Sequence, residues 1–503
     1  MKYKAALLSL GCKVNSYETE KIRESMVEKG FEIVDFSEIA DVYIVNTCSV
    51  TNIADRKSRQ MLHRAKSLNP DAIIVATGCY VQTEKDKDKL DEVADILIGN
   101  NHKGDIADIV LEHFQNNHAT EYLDDISKEK QVESFSINDY PERSRAFVRI
   151  EDGCNQFCSY CIIPYARGRV RSKNEDDILK EVRDLADKGF KEIVLTGIHI
   201  SSYGLDNYEK YMKMKTELSQ TYDESVIFTP HQSALLTDSL QGGVIDEQYE
   251  VSDFDGVPLL NLIRKISKIS GIERIRLGSL EPRIITKEFA EQLKSIPSVC
   301  PHFHLSLQSG CDTVLKRMNR HYTMQEFLDK CEILRATFDR PAITTDVIVG
   351  FPGETEEEFE ESLGKCREAA FAKMHIFKYS RRKGTVADKM PGQLTEKVKH
   401  ERSLRLQTLD DEMKARYNGS FVGETVKILV EEIKDGKAIG LTERYVQVEA
   451  DPESDEGIGY DSANRIGTNN DGTSEILLNK INEFVYVKVT KVLEDGTLHG
   501  III

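Results

Sequence analysis

Short apolar runs alternate with amphipathic stretches in the first part of the chain. Lys4 to Leu10, Asp41 to Asn46 and Ala72 to Thr77 read as strands, Tyr17 to Glu28 (closed by Gly30) and Ala54 to Ser67 as helices. This alternation predicts an α/β domain with a parallel sheet. Cys12, Cys48 and Cys79 directly follow the three strands, each in a turn leading toward the next helix. Strand ends of an open α/β sheet share one edge, so the three thiols are expected to converge. From about Asn100 to Glu142 the text turns polar and acidic, which reads as a helix and then a linker, with a boundary near residue 140.

Six further strands follow: Ala146 to Ile150, Glu192 to Thr196, Arg274 to Gly278, His302 to Leu307, Thr344 to Val349 and His375 to Tyr379, with helical patterns between them. Consecutive strand-helix units predict a partial (β/α)6 barrel, with its chemistry in the loops after the strands. The stretch of about 205–255 lacks periodicity and reads as an insertion. A charged helix from about Thr395 to Tyr417 leads to a β-rich tail of Glu424 to Glu431, Lys437 to Ala450, Glu483 to Val492 and Thr497 to Ile503, which suits a small antiparallel β-barrel. Residues 451–477, rich in Asp, Gly, Asn and Ser, read as a loop. The expected division is α/β throughout: an N-terminal parallel-sheet domain (1–126), the central barrel (140–380), a basic connecting helix (381–417) and the tail barrel (418–503).

Composition narrows the picture. A chain of 503 residues has room for about three domains. It carries no apolar run of the roughly 20 residues that span a bilayer, and its start reads straight into a strand, so a cytoplasmic location without membrane association is expected. There the ten cysteines serve as thiols or metal ligands, not as disulfides. The net charge of -18 speaks against general attraction to phosphate, so any nucleic-acid surface must be local. Two basic clusters qualify: Lys378 to Arg405, with nine Lys or Arg against three Asp or Glu, and Arg143, Arg145, Arg149, Arg167, Arg169 and Arg171. An ordinary solvated charged face explains either cluster equally well.

The densest chemistry is the run Asp152-Gly-Cys-Asn-Gln-Phe-Cys-Ser-Tyr-Cys, which places Cys154, Cys158 and Cys161 on one loop. Soft thiolates hold iron-sulfur clusters, and 4Fe-4S clusters normally take four cysteines, so three leave one iron open. Gly197 and Gly350, each after a barrel strand, permit close approach of backbone to a ligand, although plain turn glycines read the same. Ser306, Gln308 and Thr345 stand at strand ends as weaker candidates. Cys300, Cys311, Cys331 and Cys366 show no ligand spacing, and the histidines form no metal pattern.

The triple-cysteine run resembles the signature of radical S-adenosylmethionine (SAM) enzymes, with Tyr160 in the aromatic place. Further landmarks extend the likeness over nearly the whole chain: Gly11-Cys12-Lys13-Val14-Asn15, Tyr17-Glu18-Thr19-Glu20, Asn46-Thr47-Cys48, Thr77-Gly78-Cys79, Arg167-Gly168-Arg169-Val170-Arg171-Ser172 and Ile348 to Thr355. Together they resemble the radical SAM methylthiotransferases, and most closely the branch acting on threonylcarbamoyladenosine in tRNA. The resemblance implies two 4Fe-4S clusters, one on Cys12, Cys48 and Cys79, the other on Cys154, Cys158 and Cys161. It also implies SAM near Tyr160, Gly197 and Gly350, a C-terminal RNA-binding barrel of the TRAM type, a tRNA anticodon stem-loop as partner and an electron donor such as flavodoxin or ferredoxin. No catalytic residue beyond the cluster ligands is assigned. Arg167, Arg169 and Arg171 are candidates for holding a phosphate or the substrate's carboxylate, and the basic helix and tail are the expected RNA contacts. The rival readings are the same reaction on a ribosomal-protein aspartate and a non-catalytic iron-sulfur or zinc RNA-binding protein.

Overall fold

A computed structural model describes residues 2–84, 90, 92–116, 120–137, 140, 144–206, 256–452 and 479–503. The segments of about 205–255 and 451–477 thus lie almost wholly outside the described residues, as does Arg143.

The N-terminal sheet is parallel throughout, with six strands: β1 (Lys4–Ser9), β2 (Glu32–Val34), β3 (Val42–Thr47), β4 (Ile73–Gly78), β5 (Ile96–Ile98) and β6 (Thr120–Tyr122), in the order β2-β1-β3-β4-β5-β6. β3 and β4 are buried at every position, as the near-continuous apolar text of a doubly covered parallel strand requires. Ile22 and Met26 of α1 (Lys13–Glu28) cover one face, where Ala5, Val42 and Ile44 point. Leu62 and Ala65 of α2 (Asn52–Leu68) cover the other, against Ala6, Tyr43 and Val45. The short α3 (Cys79–Thr83) follows β4, and α4 (Ile106–Asn116) joins α1 on its face. β2, β5 and β6 have three residues each, too few for a period to show in sequence. Nor does the acidic stretch before residue 140 behave as a linker: Phe135, Ile137 and Tyr140 are buried in the core of the central barrel.

That barrel is built from β7 (Arg145–Arg149), β10 (Glu192–Thr196), β11 (Arg274–Leu277), β12 (Ser279–Leu280), β13 (His302–Leu305), β14 (Ala342–Val349) and β15 (Lys373–Lys378). β12 continues β11 past Gly278, so β7-β10-β11 and β12-β13-β14-β15 make six parallel staves. A two-residue ladder of β8 (Glu151–Asp152) and β9 (Arg171–Ser172) frames the triple-cysteine loop and α5 (Ile163–Arg167). The outer layer is α6 (Glu175–Asp187), α7 (Val257–Ile266), α8 (Lys287–Lys294), α9 (Asp312–Arg317), α10 (Met324–Thr337) and α11 (Glu356–Ala369). Capping boxes start α10 at Thr323 and α11 at Thr355.

The tail closes into a five-stranded barrel of β16 (Thr425–Lys434), β17 (Lys437–Thr442), β18 (Gln447–Asp451), β19 (Phe484–Val492) and β20 (Leu498–Ile502), in the order β16-β17-β18-β20-β19. The stretch from Lys437 to Ala450, expected as one strand, is two. They are parted by a turn at Tyr445, which adopts φ 63° without a glycine to announce it. This turn enters the mouth of the central barrel, where Arg276 donates to the carbonyls of Glu443 (2.9 Å) and Thr442 (3.1 Å), and Arg274 to those of Leu441 (3.1 Å) and Lys427 (2.7 Å). The basic helix α12 (Glu396–Gly419) is less free for RNA than its text suggests: Arg402 donates to Glu354 (2.7 Å) and Arg405 to Glu356 (2.6 Å). No helix among the described residues is long and apolar enough to cross a membrane.

Candidate active site

β1, β3 and β4 are neighbours in the sheet, so the turns after them bring Cys12, Cys48 and Cys79 to one edge. Gly11 makes the approach possible. At φ 102° it adopts a conformation few side chains tolerate, and a Cβ there would lie 2.5 Å from Cys48 Sγ. Cys12 caps α1, where the helix dipole favours a thiolate. Burial raises the Cys12 thiol against the pull of Arg167, and burial followed by the neighbouring Cys79 pushes Cys48 up to about 12. Left to themselves these groups stay protonated; a metal displaces the proton.

The second trio lies across from the first. Cys154 follows β8, and its N–H donates to Gly168 O at 3.1 Å; Cys161 N–H donates to Cys158 O at 2.9 Å. Ser159 pins the loop through Met318 O (3.0 Å) and Arg317 O (2.8 Å). Arg320 donates to Cys158 Sγ at 3.4 Å while also held by Glu281 (3.1 Å). Burial, and next the charge of Cys158, pushes Cys161 up to about 12 and raises Cys154 well above the usual thiol range. Cys161 also lies near enough to Cys79 to feel its charge, so the two trios are neighbours.

A buried polar knot fixes that relation. Asn100 Nδ2 sits 3.5 Å from Cys79 Sγ and donates to Ala166 O at 2.7 Å, joining the first trio to α5. Arg167, fully buried, donates to Asn15 (2.7 Å), Glu18 (2.9 and 3.1 Å) and Asp152 (3.1 and 3.2 Å). Arg149 adds a bond to Glu18 (3.1 Å), and Lys103 adds another to Glu18 and one to Asn100 (2.8 Å). Burial opposes ionisation of Glu18, yet Arg167 and Lys103 hold its carboxyl far below the usual range.

Charge and donor chemistry test the fit of iron-sulfur clusters. Arg149, Arg167, Arg171 and Lys103 are buried against the carboxylates of Glu18 and Asp152, with Glu133, its carboxyl raised by burial, beside Arg149 and Lys103. The Nε atoms of Arg149, Arg167 and Arg171 find no partner among the described residues. Buried cations in excess call for further buried anion, and clusters held by thiolates are anionic. Soft thiolates in threes are the donors such clusters take. Among the described residues no three His, Cys, Asp or Glu side chains close on a point as ligands of a single ion do.

Cys12 of the first trio borders a cavity of about 950 Å³, ample for a nucleoside, and Ile163, two residues after Cys161, reaches the same wall. Gly11, Cys12 and Lys13 form one end, Thr196, Gly197, His304, Asp346 and His375 the barrel wall, and the Tyr445 turn the far end. Burial alone raises the Tyr445 phenol, but Arg145 and Lys13 beside it more than offset this. Gly197 lies on the cavity wall, where a Cβ would sit 2.7 Å from Glu151 Oε2; Gly350, at φ 74°, faces α12, with Lys399 Cγ 2.4 Å from any Cβ. The Tyr160 ring packs behind the loop with Phe351, Tyr379 and Met318. Arg167 and Arg171 are turned inward onto the protein, away from any substrate: Arg171 donates to Arg167 O (2.7 Å) and Gln131 O (3.3 Å). Arg169 is exposed, stacked 4.4 Å from the centre of the Phe157 ring. Lys13, Asn15, Glu18, Asn100 and Lys103 were not singled out by sequence. The only signal for the first three is their place in the stretch that opens on Cys12.

Two family descriptions match: Radical SAM superfamily over residues 148–366, and Uncharacterized protein family UPF0004 over residues 4–99. The chain is 36% identical over 448 residues to the threonylcarbamoyladenosine tRNA methylthiotransferase MtaB of Bacillus subtilis, covering 88% of this chain and 89% of that one. It is 33% identical over 435 residues to the tRNA-2-methylthio-N(6)-dimethylallyladenosine synthase of Caldicellulosiruptor saccharolyticus, covering 84% and 81%. Among solved structures, the radical SAM methyltransferase TsrM from Kitasatospora setae aligns with a TM-score of 0.46 at 12% identity over 75% of each chain. The superfamily brings with it SAM and a 4Fe-4S cluster. With relatives of this identity covering most of both chains, the chain belongs to the radical SAM tRNA methylthiotransferase family.

Proposed function

We propose that this protein converts N6-threonylcarbamoyladenosine next to the anticodon of tRNA to its 2-methylthio derivative, in the cytoplasm, with Cys154, Cys158 and Cys161 holding one 4Fe-4S cluster and Cys12, Cys48 and Cys79 a second. The observation that carries the reading is two thiol trios locked together by the Asn100 and Arg167 contacts, with Cys12 of the first on the wall of the cavity at the barrel mouth. When bound, the clusters and SAM supply the radical that takes hydrogen from adenine C2 and the methylated sulfur that replaces it. The chain's own part is placement and shelter.

Gly197, on the cavity wall that Cys12 also borders, leaves room for SAM and adenine to approach the backbone there. The depth of the barrel keeps water and stray thiols from a reactive carbon. Arg320, bonded at once to Cys158 and Glu281, fixes the loop whose Cys154, Cys158 and Cys161 would hold the cluster. The C-terminal barrel closes the far end through Tyr445 and receives the stem-loop, and a one-electron donor of the flavodoxin or ferredoxin type docks outside. The test is comparison of tRNA nucleosides from cells with and without the gene. Loss of 2-methylthio-N6-threonylcarbamoyladenosine alone is expected; loss of the methylthio group from isopentenyladenosine, or an unchanged profile, refutes the assignment.

A further inference from the structure

Three cations surround the Tyr445 ring. Arg276, 4.8 Å from its centre, is bonded to Glu192 (3.0 Å) and to two carbonyls of the Tyr445 turn; Arg145, at 5.3 Å, is paired with Glu431 (2.8 Å). Lys13, at 5.9 Å, alone makes no hydrogen bond or ion pair among the described residues. The acid across the cavity, Asp346, is paired with His304 at 3.4 Å. Lys13 is exposed on the cavity wall, so its ammonium faces the space a ligand would enter and can take a carboxylate there by a charge-assisted hydrogen bond. Lys13 also follows Cys12 directly. In adenine, C2 and the carbon bearing the N6 group flank the same ring nitrogen. A base whose C2 is presented to the Cys12 trio therefore carries its N6 substituent into the reach of the next side chain.

We propose that Lys13 is the specificity-determining residue of this site: its ammonium receives the carboxylate of the N6 threonylcarbamoyl group and so selects an acidic over an uncharged adenine substituent. This rests on the function proposed above. The measurement is fluorescence anisotropy of the reconstituted holoenzyme with three anticodon stem-loops identical except at N6: threonylcarbamoyl, its methyl ester, and unmodified. Wild type is expected to bind the acid about ten- to hundredfold more tightly than the ester, the range for a charge-assisted hydrogen bond. Lys13→Gln is expected to abolish that ratio and Lys13→Arg to keep most of it, with iron content confirming that each variant is intact. An acid-to-ester ratio retained in Lys13→Gln, or lost in both variants, overturns the assignment of Lys13. A wild-type enzyme that does not distinguish acid, ester and unmodified loops overturns the threonylcarbamoyladenosine reading itself, and Lys13 falls with it.

Discussion

Glu18→Gln is the sharpest probe of how the two cluster modules are joined. The glutamine keeps the shape of the side chain but removes the carboxylate that serves Arg167, Arg149 and Lys103 together, leaving Asp152 as the knot's one buried acid against four cations. All of these groups are buried, so solvent does not screen the loss. Removing one partner of a buried ion pair costs about 3–5 kcal/mol. At a urea slope of about 2–3 kcal/mol/M this moves the midpoint of unfolding down by about 1–2.5 M. Because the chain has no tryptophan, circular dichroism is the natural probe. The sign with pH follows from Glu18's depressed folded-state pKa. Its stabilisation is complete above the unfolded carboxyl value of about 4.3 and is lost only as pH falls through the folded value. The gap between wild type and variant should therefore be constant from about pH 5 to 8 and narrow in acid. A midpoint shift under about 0.3 M, or a gap that narrows toward pH 8, refutes the reasoning.

Three other outcomes are expected. Cys48→Ala and Cys158→Ala should each lower iron from about eight to about four atoms per chain, by colorimetric assay after anaerobic reconstitution; loss of all iron in either variant argues against independent sites. Asn100→Ala removes the amide 3.5 Å from Cys79 Sγ, and since hydrogen bonds to sulfur raise cluster potentials, the potential of the first cluster should fall in an EPR-monitored titration while that of the second stays. Arg276→Ala cuts the links to Glu192, Thr442 and Glu443; small-angle scattering should show a larger radius of gyration as the tail barrel loosens, and an unchanged radius would mean that the remaining ties, among them those of Arg274 and of Arg340 to Glu424, suffice.

What the sequence disclosed was whatever is written locally. Cys12, Cys48 and Cys79 were legible as a convergent set because each lies directly beyond a strand and parallel strands share an edge. The six barrel staves were legible from their apolar runs, and the α/β class with its closed tail barrel followed. β2, β5 and β6 escaped because three residues carry no period, and the Tyr445 turn because it lacks glycine, asparagine and proline. Most of all, the roles of Arg167 and Arg171 were hidden. An arginine beside a cluster loop reads equally as a ligand for substrate and as a tie to Glu18, and only the fold brings Glu18 to it across 149 residues of chain.

The buried knot also explains why polar groups join these modules where apolar packing of the same volume could be as stable. In the proposed reaction one carbon is reached first from the Cys154 trio and then from the Cys12 trio, so the two must keep a fixed separation and angle. Apolar faces resist parting but slide. Arg167, bonded to Asn15, Glu18 and Asp152, would weaken several hydrogen bonds at once if the modules shifted, because such contacts depend on distance and angle. Asn15 and Glu18 lie on the helix that Cys12 caps, and Asp152 stands two residues before Cys154. The bonds thus run from one trio's own element to the other's, with almost no intervening chain to bend. By this argument the knot sets geometry more than stability. Glu18→Gln enzyme kept folded at low temperature should still bind SAM and cleave it, yet transfer the methylthio group poorly; equal loss of both activities would show that the knot only holds the fold.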